Sequence, residues 1–191
     1  MSVRSRTSSS TLLQTATEVL VADPTASLSD VARAAGIGRT TLHKLYPTRH
    51  ALLVALARDA LDVLERTYAD AGLGPDPDPA ADPAVALRRL VVALVPLGPR
   101  VEYLMRERSL DVEPDLTARV EALDEPVRAL VRRAQAAGRL RAGVPDEWVV
   151  ASLNALVYAA WELVALGRLA PVAAPDLVLG TLLDGVRATG A

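Results

Sequence analysis

SLSDVARAAGIGRTTLHKLYPTRHALL, residues 27–53, decides how the chain folds. Ser27 followed three residues later by Asp30 resembles a capping box, with Asp in place of the usual Glu, and opens a helix. Val31, Ala34 and Ala35 supply its apolar side. Gly36 ends it and allows a tight turn. A second short helix is predicted over Arg39 to Leu45, with Leu42 and Leu45 pointing back to the core. Pro47 stops it, because residue 46 is pushed out of the helical region. Thr48 is an N-cap for a long helix to about Ala71, lined on one side by Leu52, Leu53, Leu56, Ala60, Val63 and Leu64.

Two helices of about two turns, joined by Gly36-Ile37-Gly38, have the spacing of a helix-turn-helix. The second is short enough for its N-terminal half to enter a major groove about 12 Å wide. Arg39 can reach a guanine edge or a phosphate. Thr40 and Thr41 can bond phosphates or meet a thymine methyl, and His43 and Lys44 add donors. The start of the first helix, at Ser27 to Ser29, presents backbone N–H groups to a phosphate. The same spacing also fits an ordinary helical hairpin with a polar face. Charge bears on the choice. The chain carries a net −2, yet residues 1–50 hold six cations against three anions, leaving −5 for the remainder. A basic head on an acidic body has that profile; so does chance variation in surface charge.

Working outward, a helix is predicted from about Ser9 to Ala22, on the stripe Leu12, Leu13, Ala16, Val19 and Leu20, with Pro24 just past its end. Half of the chain is hydrophobic, mostly Ala, Leu and Val, with no Phe; a sizeable all-helical core is expected and no sheet. The chain has no cysteine, which excludes thiolate metal sites, disulfides and cysteine nucleophiles. MSVRSRTSSS at the N-terminus has two arginines but no apolar run behind them, so a cytoplasmic location is expected. Trp148 to Leu169 is long and apolar, but it contains Ser152, Asn154, Glu162 and Arg168. A mid-span carboxylate costs about 3 kcal/mol in a bilayer; a mostly buried helix of a soluble assembly fits better, and no membrane is expected as a partner.

Gly72 to Pro83, GLGPDPDPAADP, is predicted as a linker or long surface loop. Helices are predicted over Ala84 to Pro96, Arg100 to Ser109, Pro114 to Ala137 (kinked or divided by Pro126), about Asp146 to Gly167, and Pro175 to Ala188. An enzyme is not expected: both histidines lie in the head region and no glycine-rich loop follows a strand. Glu113, Asp115, Glu121, Asp124 and Glu125 are flanked by arginines and lack the histidines of helical di-metal sites. No catalytic centre, metal or cofactor is expected.

Residues 27–53 resemble the N-terminal domain of TetR-type transcriptional regulators, in order and register. The match runs through Ser27, Val31-Ala32, Ala35-Gly36-Ile37, Thr41-Leu42, an aromatic at Tyr46, Pro47-Thr48 and Leu52-Leu53. The chain departs from that pattern where the family usually has Tyr (His43 here), Phe (Tyr46), Lys (Arg49) and Ser (Gly38). Residues 119–167 resemble the family's C-terminal region. The resemblance implies an all-α protein of about nine helices. A three-helix helix-turn-helix DNA-binding domain would occupy residues 1–50, and a helical ligand-binding and dimerisation domain residues 51–191. It implies a homodimer joined through the last two helices, with Arg49 clamping a phosphate. It implies a repressor released from a palindromic double-stranded operator by a small apolar effector, although ligand could equally promote binding. A helical adaptor without DNA binding is the alternative. If a ligand pocket is present, Tyr103, Met105, Asn154, Tyr158 and Trp161 are candidates for it. Asn154, Tyr158 and Trp161 share one helix face, which could equally be a dimer seam.

Overall fold

The computed structural model describes residues 3–74, 81–105 and 107–186, with the side chains of 3–10, 99, 102, 103, 105 and 186 outside the description. The described residues form nine α-helices and no strand: α1 Val3–Ala22, α2 Leu28–Ala34, α3 Arg39–Leu45, α4 Arg49–Tyr68, α5 Pro83–Leu94, α6 Gly98–Met105, α7 Pro114–Ala136, α8 Asp146–Ala165 and α9 Ala174–Val186. Most of the predicted Gly72–Pro83 loop, residues 75–80, lies outside the described residues.

The helices gather into two compact units, residues 1–62 with 100–117, and residues 63–99 with 118–191. In the first, α1, α2, α3 and most of α4 close on Leu12, Leu13, Ala16, Leu20, Val31, Leu42, Leu52 and Leu56, all buried. The α2–α3 turn shows why Gly36 is needed. Its φ is +66°, a region that costs an L-residue about 1 kcal/mol or more. That turn lets Ile37 N donate to Ala32 O at 3.0 Å and Gly36 N to Arg33 O at 3.2 Å, which satisfies two carbonyls at the end of α2.

In the second unit, α5, α7, α8 and α9 bury Leu87, Leu90, Val91, Leu94, Val127, Leu130, Leu153, Val157 and Leu182. The break between α5 and α6 falls where Pro96 and Pro99 predict it, as a single tight turn over Val95–Leu97. Of the two alternatives for α7, kinked or divided at Pro126, the structure removes division: Pro126 sits inside a single helix. The turn after the proline is clasped by Arg128 Nε to Glu125 Oε2 at 2.9 Å and Arg132 Nη2 to Glu125 Oε1 at 2.5 Å, pairs that support a helix where one backbone bond is missing.

Leu45 corrects one expectation. It is 56% exposed, whereas Leu42 is fully buried. α3 is two turns long and leaves the core at Tyr46, whose backbone is already extended at φ −133° and ψ 91°. Only Leu42 is deep enough to be covered.

Trp161 on α8 is 7% exposed, and its Nε1 donates to Leu94 O at 2.9 Å. This pose needs a bare backbone at Gly98, where an added Cβ would lie 2.4 Å from Trp161 Cδ1. Gly98→Ala is therefore expected to destabilise the protein by about 1–3 kcal/mol through overpacking and to shift the Trp161 emission. Denaturant unfolding with fluorescence detection checks both; an unchanged midpoint and spectrum contradict the close approach.

Candidate nucleic-acid interface and ligand cavity

α2 is set by its cap. Ser27 Oγ accepts from Asp30 N at 3.3 Å, and Ser27 N donates to Asp30 Oδ2 at 2.9 Å, so the capping box forms with Asp in the Glu position. Asp30 Oδ1 also accepts from Arg33 Nη2 at 2.6 Å. Bonds from Ser27, then Arg33, hold the Asp30 carboxyl down at about 2. Of the first amides of α2, those of Leu28 and Ser29 have no partner among the described residues.

α3 presents its polar residues as the sequence predicts. Arg39, Thr40, Thr41, His43 and Lys44 are all exposed, while Leu42 anchors the opposite side. Gly38 stands at the N-cap in an extended conformation and offers no side-chain cap. The structure thus brings five of the seven predicted DNA-contacting residues onto one short exposed helix. Leu45 joins them there as an apolar contact that the periodicity assigned to the core.

Arg49 is placed differently from the rest. At the start of α4 its Nη1 donates to Ala26 O at 2.5 Å and its Nη2 to Pro24 O at 2.7 Å. The guanidinium ties the α1–α2 loop to α4. Together with the Ser27 box, it fixes the start of α2.

α4 is held from its other side by groups that sequence reasoning did not connect. His50 Nε2 stands 2.7 Å from Glu113 Oε1, and Arg58 Nε is 2.9 Å from Asp115 Oδ2. Arg100 forms an ion pair with Asp59, and burial pulls its guanidinium below the usual value. Glu113 and Asp115 thus pair with α4, while Glu125 pairs within α7 and Asp124 accepts from Asn154 Nδ2 at 3.1 Å. Among the described residues, no group of three or more His, Cys, Asp or Glu side chains could hold a metal ion. Only the 113–115 charges, close in sequence to the α7 start, could have signalled the bracing; their partners, some 60 residues away, could not.

The second unit contains a cavity of about 300 Å³. Its walls are Leu87 of α5, Val127, Leu130 and Ala134 of α7, and Val149 and Leu153 of α8, with Leu182 and Leu183 of α9 behind. Pro83, Ala84 and Arg139 also line it. Of the candidate ligand residues, Asn154, Tyr158 and Trp161 are not among its lining residues. Asn154 is exposed and bonded to Asp124, Tyr158 is half-buried, and Trp161 is held against Leu94 and Gly98. The side chains of Tyr103 and Met105 lie outside the described residues. The face shared by Asn154, Tyr158 and Trp161 thus passes from surface to core along α8. Aliphatic residues of this kind line ordinary cores too, so no sequence signal marked the cavity.

α8 is long and apolar enough to cross a membrane by length and composition. Asp146 and Glu147 open it, and Val149, Val150, Leu153, Val157, Ala160 and Trp161 are buried within the protein.

No family model matches the chain. Over 152 residues it is 37% identical to the HTH-type transcriptional repressor LfrR of Mycolicibacterium smegmatis, covering 79% of this chain and 76% of that protein. The structure of the TetR-like transcriptional regulator LfrR from Mycobacterium smegmatis in complex with proflavine superposes with a TM-score of 0.77 at 32% identity, over 96% of this chain and 99% of that one. The ketosteroid transcriptional regulator KstR2 of Mycobacterium tuberculosis shares the fold, with a TM-score of 0.74 at 18% identity over 93% and 94% of the two chains.

The capping box carries a pH dependence. A carboxyl held at about 2 in the folded chain contributes stability that is present above its unfolded value of 3.8 and is lost as pH falls through about 2. Melting temperature measured from pH 5 to pH 2 should fall less steeply in Asp30→Asn than in the parent; parallel profiles refute the role given to Asp30.

Proposed function

Because the chain belongs to the TetR family of transcriptional regulators, we propose that it is a repressor that binds a palindromic operator as a homodimer and is released by a small apolar effector. The observation that carries the reading is the exposed set Arg39, Thr40, Thr41, His43 and Lys44, held out by a buried Leu42. The N-terminal half of α3 would enter the major groove, with Arg39 and Thr41 at base edges and Lys44 and His43 toward phosphates. Ser27 would present the start of α2 to a phosphate. Arg49 would act mainly by orienting α2, since two of its donors are committed to Pro24 and Ala26. The operator-reading function would reside in residues 1–50 and the ligand and dimer functions in residues 51–191. The protein would carry no catalytic activity of its own and would act in the cytoplasm, where operator DNA lies.

The dimer reading rests on α8 and α9, which leave Leu163, Leu166 and Leu177 exposed. Pairing these helices with a second copy would cover that apolar surface in a four-helix arrangement. The effector reading rests on the cavity. Asn154, Tyr158 and Trp161 lie on α8, which also supplies Val149 and Leu153 to the lining, and with Tyr103 and Met105 they stay candidates for contact with the effector. α7 supplies a route for the signal. It lines the cavity with Val127, Leu130 and Ala134, and at its other end Asp115 is paired with Arg58 of α4, beside the Glu113–His50 contact. An effector that favours one position of α7 would bias α4 and with it the spacing of two heads. Such differential affinity is worth about 1–3 kcal/mol in coupled systems.

Gel-shift titration against the DNA upstream of its own gene should show binding that weakens steeply with salt. Arg39→Ala should lower specific affinity about 10–100-fold while leaving the fold intact. Unaltered affinity removes Arg39 from the contact surface, and no binding by a folded dimer overturns the repressor reading. Sedimentation at micromolar concentration should give twice the mass of the 20.2 kDa chain, whereas a monomer contradicts the α8–α9 interface.

A further inference from the structure

Taking the cavity of the second unit as the effector site proposed above, we propose that its ligand is an unbranched medium-chain carboxylate, an aliphatic tail of about ten carbons with its anionic head on Arg139.

Size sets the length of the tail. A cavity of about 300 Å³, twice the roughly 150 Å³ that takes a six-carbon ring, suits a tail of about ten carbons. The lining sets its chemistry. Among the described residues it is built of Pro, Ala, Val and Leu side chains with the one exception of Arg139. Among the described residues no aromatic ring lines it, so a planar aromatic ligand meets no stacking face there and a cation no ring quadrupole. Among the same residues no carboxylate lines it, and Asp82, beside it, is already paired with Arg139, so an ammonium would meet no free counter-charge.

Arg139 supplies the polar end. Its Nη1 donates to Asp82 Oδ2 at 2.9 Å, and its Nε and Nη2 have no partner among the described residues. Those two groups form one edge of the guanidinium fork, the edge that takes a carboxylate bidentately. Asp82 cannot turn away to leave the cation bare. Its Oδ1 accepts from Ala84 N at 2.9 Å and caps α5, so it is held as a fixed counter-ion on the other side of Arg139. The N-terminal turn of α5, through Pro83 and Ala84, lines the same end of the cavity and brings the positive end of its dipole. Arg139 is 56% exposed, so the head group would sit at a wet rim while the tail lies along the aliphatic walls. An amphiphile matches that gradient; a neutral alkane leaves the unpartnered guanidinium edge unused.

Calorimetric titration of the full chain, below the micellar range, with decanoate, 1-decanol and decyltrimethylammonium tests this. Decanoate should bind one per chain, 1-decanol about tenfold more weakly, and the cation not measurably. Arg139→Gln should weaken decanoate about tenfold and leave 1-decanol unchanged. Ala134→Leu, which fills the cavity, should abolish both. Equal affinity for acid and alcohol, undiminished decanoate binding by Arg139→Gln, or binding of the cation overturns the proposal. Operator binding followed in the same titrations separates the two readings. Decanoate that binds through Arg139 without releasing DNA refutes the effector role and upholds the ligand chemistry. Absence of decanoate binding to a protein that still binds its operator refutes the ligand chemistry alone.

Discussion

The burial of one leucine positions the whole candidate DNA-reading surface. α3 has seven residues, and Leu42 is its only buried one, at 0% exposure. Five polar side chains are aimed outward because that one is aimed inward. A helix this short has little intrinsic stability, so its orientation is inherited from the Leu42 contact and from the turn at Gly36. The capping box at Ser27 and the two bonds from Arg49 perform the same service for α2. The first unit is thus a set of short elements whose geometry is enforced from outside each of them.

The bracing of α4 follows the same logic at longer range. His50, Arg58 and Asp59 of α4 are met by Glu113, Asp115 and Arg100 elsewhere in the first unit. An exposed pair such as Arg58–Asp115 adds little net stability, whereas Arg100–Asp59 is largely withdrawn from water. Their value is positional: they tie α4 to the beginning of α7 with contacts that are weak enough to be rearranged. The core grips α4 as well, through Leu52, Leu53, Leu56 and Ala60, all buried, so the pairs refine a position that packing sets.

Much of this was legible in residues 27–53. The cap at Ser27, the turn at Gly36, the extent of α3 and the outward set from Arg39 to Lys44 each follow from local rules of capping, φ and periodicity, which act within a few residues. Leu45 was misread for a physical reason: periodicity says which face a residue is on, and not where the neighbouring elements stop covering that face. At Pro126 the sequence left two alternatives, a kink or a division; the unbroken α7 and the Glu125 pairs beside it, visible only with side chains placed, decide against division. Trp161 has two open readings from sequence, pocket and dimer seam; the structure adds a bond to Leu94 and the close approach of Gly98, neither of which a helical pattern shows.

The sequence by itself determined the all-α class, the helix-turn-helix and its polar reading face, because those depend on interactions between residues close along the chain. Tertiary structure alone decided which charges brace α4, where the cavity lies and which side chain guards it. Arg139 and Asp82 are 57 residues apart, and the aliphatic walls come from four helices. No local pattern distinguishes a leucine that lines a void from one that fills a core; the difference is made only by what packs against it.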